Sequence, residues 1–219
     1  MTTDTLHFRV LSALLQYPEA ELIDALPELD AALAQAPTGL RITVAPLLTE
    51  LAAGDLIAAQ EGYVATFDRS RGHSLHLFEH IHGESRERGP ALVDLMNAYR
   101  THGFEIDANE LPDYLPLFLE FLGSVDTATA QDFLNEAVHV IAALAERLGE
   151  AESRYACVMN ALVALASVKI QPLVAPPIRD MDEMLETFGP GADGTEPLLS
   201  QAAGPQTVKF YPRNQEARP

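Results

Sequence analysis

Apolar residues recur along this 219-residue chain three and four positions apart, the spacing that lines one face of an α-helix. No run of strict alternation lasts long enough for a strand, so the chain is predicted to be all-α. Leu6, Val10 and Leu14 form one stripe and Phe8, Leu11 and Leu15 an adjoining one, which predicts a first helix buried on more than one side. Tyr17-Pro18 ends it, because proline disfavours the helical region for the residue before it. A second helix is predicted over Glu19 to Leu33, weakened by Pro27, before "APTG" breaks the chain. Pro46 suits the first turn of a third, and Asp55 can cap a fourth that carries Ile57, Tyr63, Val64 and Phe67.

Further on, "PALVDLMNAYRTHG" has proline near its start and Gly103 at its end, the expected polarity of a helix. The segment "ELPDYLPLFLEFLGSV" places Leu115, Phe118, Leu119 and Leu122 together. Two long amphipathic helices follow. One is predicted to bury Phe133, Ala137, Val140, Ile141, Leu144 and Leu148, and the other Tyr155, Val158, Met159, Leu162 and Leu165, with Ser153 as its cap and Glu152 beside its positive end. After Lys169 the texture becomes rich in proline, glycine and alanine. The expectation is therefore one helical bundle over residues 1–170 and a flexible tail over 171–219. Within the tail, Met181, Met184, Leu185 and Phe188 share a face whose reverse is acidic. Such a face either docks on its own domain or captures a partner, since methionine is adaptable.

Composition narrows the function. A single cysteine, Cys157, excludes an internal disulfide, and Asp4, His7, Arg9 and Gln16 interrupt any apolar run at the start, so the expected setting is cytoplasmic. The formal net charge of −18 repels nucleic-acid phosphates and anionic lipid and favours basic partners. The cations are uneven: Arg69, Arg71, Arg86, Arg88 and Arg100 crowd one region, and the segments on either side are strongly acidic.

That region contains "SLHLFEHIHGESRERGPALVDL". His76 and His80 are four apart and would share a helix face, while His82 requires the chain to turn near Gly83. The zinc-hydrolase pattern fails, because Glu79 directly precedes His80 and does not follow His76. There is no nucleophile elbow and no phosphate-cradling loop, and Cys157 lies among Ala156, Val158 and Met159 like a small buried hydrophobe. No catalytic, metal or cofactor site is expected. What remains is a cluster able to pair with itself: Glu79, Glu84 and Glu87 as acceptors, Arg86 and Arg88 as forked donors, His80 and His82 in either role. It either stiffens a junction between helices or grips a peptide. His76 is expected to lie outside it.

The same residues carry a resemblance. "YVATFDRSRGHSLHLFEHIHGESRERGPALVDL", then "ELPDYLPLFLEFL" and "ESRYA", is similar to the NarJ family, the molybdenum-cofactor assembly chaperones of respiratory nitrate reductase, over roughly Tyr63 to Ala156. The wider group of redox-enzyme maturation chaperones has a Tyr-x-x-Leu-Phe pattern, matched by Tyr63 to Phe67, and a Glu-x-Pro-Asp-His pattern, matched by Glu110, Pro112, Asp113 and Tyr114. Thr66 stands where leucine is common, and Tyr114 where histidine is common. The resemblance implies an all-helical, non-catalytic chaperone that binds the N-terminal segment of the catalytic subunit, delays its membrane docking and stays bound while cofactor is inserted, with cofactor-delivery proteins as further partners. Tyr63, Phe67, Glu110, Pro112, Asp113 and Tyr114 then join the cluster at 79–88 as candidates for holding the peptide or its groove. A chaperone for another molybdoenzyme, such as an oxide or sulfoxide reductase or a hydrocarbon dehydrogenase, and a metal-dependent enzyme built on the histidines stay open as alternatives.

Overall fold

A computed structural model describes residues 5–83, 85–106 and 110–173. Among these the α-helices run in order as α1 (Leu6–Leu14), α2 (Ala20–Leu33), α3 (Leu40–Ala53), α4 (Leu56–Phe67), α5 (Leu77–His82), α6 (Arg88–Thr101), α7 (Leu115–Leu122), α8 (Thr127–Glu150) and α9 (Ala156–Leu165). A 3₁₀ turn at Arg71–His73 links α4 to α5. Among the described residues the isolated β-type pairing is one antiparallel bridge, His76 to Tyr114.

The bundle is organised around α7, which buries Leu115, Pro116, Leu117, Phe118, Leu119, Phe121 and Leu122 and leaves Glu120 half-exposed. It packs on α1 and on α8; α9 packs on α8 and α3, and α2 bridges α1 and α3. Side-chain bonds sew α1 to α7: Ser12 donates to the Pro116 carbonyl at 2.7 Å and Arg9 to the Ser124 hydroxyl at 3.0 Å. The predicted caps form where expected at Asp55, which accepts from Ala58 N at 2.7 Å, while Asp126 caps α8 by accepting from Ala128 N and Thr129 N, both at 3.1 Å. Gly103 ends α6 at φ +75°, with Phe104 N–H returning to the Tyr99 carbonyl, a turn that suits a residue without Cβ.

Two prolines sit inside helices, Pro27 as predicted and Pro46 deeper than predicted. Pro46 lies in the middle of α3, not in its first turn, and Pro27 in the middle of α2. Both face solvent, while Leu40, Val44, Leu47, Leu48 and Leu51 form an unbroken buried stripe along α3. A mid-helix proline costs about 3 kcal/mol; burying each such side chain returns roughly 1.5–3 kcal/mol, so the stripe decides where the helix starts. Ile57, expected to pack, is 67% exposed. Ser153 does not cap α9: its hydroxyl accepts from Tyr155 N, and the helix begins at Ala156 after Glu152 has taken a positive φ.

The packed chain runs past the predicted boundary at residue 170. Gln131, Asn135 and His139, one turn apart on α8, hold the outgoing chain through the Leu165 carbonyl (3.2 Å), Ser167 N (2.9 Å) and Gln171 N (3.1 Å), and Leu173 rests on the core. The amphipathic segment at 181–188 and the rest of the tail lie outside the described residues. Among those described, no helix is long and apolar enough to cross a membrane.

Candidate functional site

Six residues make α5, too few for an independently stable helix. Its N-terminus is instead capped from a distant part of the chain. Asp113 accepts Leu77 N–H on its carbonyl and Phe78 N–H on its carboxylate, both at 3.0 Å, and Leu115 N–H returns to the Leu75 carbonyl at 2.8 Å. The turn before α7 is thereby clamped to the entry of α5. Beneath it, fully buried Tyr99 donates to the Pro112 carbonyl at 2.7 Å.

Asp113 is 0% exposed and needs its charge satisfied on every side. Besides the Phe78 amide, His76 Nδ1 lies 3.3 Å from one oxygen and Arg88 3.9 Å from the other, while Arg88 also reaches Glu79 at 3.2 Å. The hydrogen bond to Asp113 raises the His76 pKa above its ordinary value against the opposing pull of burial. The Nε of Arg88 is buried without a hydrogen-bond partner. His76 is thus part of the network, contrary to expectation. It also sits in extended backbone as the N-cap of α5, so it does not share a helical face with His80.

His80 belongs to a second set. Its Nε2–H donates to the Ser74 carbonyl at 2.8 Å, which leaves Nδ1 to accept from Arg147 on α8 at 2.9 Å; Arg147 also donates to the Gly72 carbonyl at 3.3 Å. Burial first, and then the Arg147 charge, hold the His80 pKa below its ordinary value, so the imidazole is neutral. His82 completes α5, meeting Phe78 edge to face at 5.6 Å before the chain turns at Gly83. Among the described residues no three His, Cys, Asp or Glu side chains are grouped to hold a metal. Burial pushes the Cys157 thiol up, away from reactive thiolate.

Tyr63 and Phe67, on one face of α4, stack in an aromatic cluster with Tyr17 and Tyr155, and the Tyr63 hydroxyl donates to the Leu15 carbonyl at 3.1 Å. Burial and the neighbouring Tyr114 hydroxyl push the Tyr63 phenol upward. Tyr114 touches the His76 ring at 5.4 Å. An imidazole therefore does stand beside Asp113 and Tyr114, delivered by the α5 entry and not by position 114. Thr66 turns back on its own helix, donating to the Gly62 carbonyl.

The predicted self-pairing of the 79–88 cluster is only partly what the structure contains. Arg88 and Glu79 pair; Arg86 and Glu87 are exposed, as is Glu110, and Glu84 lies outside the described residues. The partners that complete the site, Asp113 to His76 and Arg147 to His80, come from far along the chain. Spacing alone offered no sign of Arg147 beyond one cation in the last turn of an otherwise acidic helix, where the helix dipole already accounts for it. The assembled site is a junction of hydrogen bonds and ion pairs between segments far apart in the chain.

The chain matches the family described as nitrate reductase delta subunit over residues 21–159. It is 37% identical over 206 residues, 92% of this chain and 84% of the relative, to the nitrate reductase molybdenum cofactor assembly chaperone NarJ of Escherichia coli K12. Identity is 38% over 72% of the chain and 67% of the relative with the probable chaperone of the same kind, NarW, from that organism. With the probable NarJ of Bacillus subtilis 168 it is 34% over 74% of the chain and 90% of the relative.

Proposed function

Since the chain belongs to the nitrate reductase delta subunit family, we propose that it is a cytoplasmic assembly chaperone, not an enzyme, for the catalytic subunit of a respiratory nitrate reductase. It binds the N-terminal segment of that apo-subunit, holds it while molybdenum cofactor is inserted, and delays docking to the membrane. The likeness to NarJ across nearly the whole chain carries the reading. Two physical features support it. The net charge of −18 attracts a basic guest. The Asp113 clamp ties the two motif segments into a stiff support, which suits a scaffold for an amphipathic helical peptide seated on apolar anchors.

Co-expression with a tagged catalytic subunit tests the reading. The expected result is a stable complex with the cofactor-free subunit, lost when its N-terminal segment is deleted and restored in titration calorimetry with a synthetic peptide of that segment. Retention of the truncated subunit at full strength, with no heat from the peptide, would refute it.

A further inference from the structure

His76 and Tyr114 face each other as the antiparallel bridge pair between the entry of α5 and the turn before α7. Residues directly opposite in such a pair put their side chains on one face, with Cβ atoms about 4.5–5.5 Å apart. Here the two rings meet at 5.4 Å. An imidazole carried by either position therefore reaches nearly the same place.

The two side chains are used differently. The Tyr114 ring is half-buried, and its hydroxyl neighbours that of Tyr63. His76 turns Nδ1 to the fully buried Asp113 carboxylate at 3.3 Å and keeps 26% of its side chain in solvent. Its Nε2 is not buried and has no hydrogen-bond partner among the described residues. The charged groups nearest to the pair, Glu79 and Arg88, bond to each other at 3.2 Å, so neither occupies that nitrogen. The bond to Asp113 favours the protonated ring, in which both nitrogens are donors. Asp113 thus fixes the ring and leaves one donor open to solvent. The Glu-x-Pro-Asp-His pattern ends on a histidine that this chain replaces by Tyr114, and His76 restores an imidazole beside the same aspartate.

We propose that His76 stands in for the histidine of that pattern and contacts the guest: held by Asp113 through Nδ1, it donates from Nε2–H to a main-chain carbonyl of the client's N-terminal segment. The inference rests on the proposed binding of that segment. A carbonyl is the acceptor because the last turn of a helical peptide leaves carbonyls without partners, whereas the cationic side chains of a basic guest are repelled by an imidazolium.

The test uses the full chain and a synthetic peptide of the client's N-terminal segment. In titration calorimetry His76→Leu should bind about tenfold more weakly, the size of one hydrogen bond to a charged group. Adding Tyr114→His to His76→Leu should recover most of that loss, because the bridge returns an imidazole to the same face, while Tyr114→His alone should stay within about twofold of the unaltered chain. With isotope-labelled histidine in the unaltered chain, the Nε2 resonance of His76 should move when peptide is added, a response that a purely structural imidazole would not give. Unfolding midpoints measured beside the affinities separate recognition from stability. A folded His76→Leu chain that binds as tightly as the unaltered one, a double variant no better than the single, or an Nε2 resonance that ignores the peptide would each overturn the inference and leave the chaperone reading intact. If His76→Leu does not fold, the resonance decides. If the unaltered chain does not bind the peptide, both fall.

Discussion

His76 and His80 lie on one short stretch yet respond to pH with opposite sign. The His76 pKa is raised by Asp113, so the folded state holds its proton more tightly than the unfolded state. Its contribution to stability is present below about pH 6.5 and is lost as pH rises through the raised value. His80 is held neutral by burial and by Arg147, so the unfolded state takes the proton more readily; its contribution is present above about pH 6.5 and is lost as pH falls. Thermal unfolding between about pH 5.5 and 8 should therefore find His76→Gln most damaging at the acid end and His80→Gln most damaging at the neutral end. Parallel pH profiles for the two variants would contradict the assignment. The arginines differ as sharply. Arg88→Ala deprives buried Asp113 and Glu79 of a cation and should cost about 1–3 kcal/mol in denaturant unfolding, whereas Arg86→Ala, at an exposed position, should stay within about 0.5 kcal/mol.

Among the elements, α5 depends most on a partner outside itself. Asp113→Ala removes the acceptor for Phe78 N–H and the counter-charge to His76 and Arg88 together. Amide exchange should accelerate at Leu77–His82 well before it does in α8 or α9, and equal acceleration everywhere would mean the clamp is not local. The same element marks where sequence reading succeeds and stops. The apolar stripe of α8 and the Asp55 cap of α4 were legible because each signal lies within a turn or two of chain, whereas Asp126, which caps α8, went unread. Pro46 misled because a local rule about the first turn was overruled by a buried stripe on the other side of the helix. His76 was misplaced because α5 begins where Asp113, 35 or more residues away, caps it. The Arg147 to His80 bond spans 67 residues, and nothing in the spacing of either segment encodes it. Local periodicity thus predicted most elements, and the resemblance marked Asp113; the pairing that joins them needed the fold.

For the whole molecule the net charge of −18 bears on encounter with the basic guest proposed above more than on the fold. Raising ionic strength to about 1 M, where the Debye length is ~3 Å, should slow association of the client's N-terminal peptide far more than it speeds dissociation. Stopped-flow rates indifferent to salt would remove steering from the account. The seam between α1 and α7 has a consequence of a different kind, in time. Ser12 meets Pro116 across 104 residues of sequence, and no earlier element supplies that contact. During synthesis at roughly 5–20 residues per second, the apolar face of α1 leaves the ribosome several seconds before α7 exists to cover it. Until then α2 can cover only part of α1, and the chaperone is itself a nascent chain with hydrophobic surface still open.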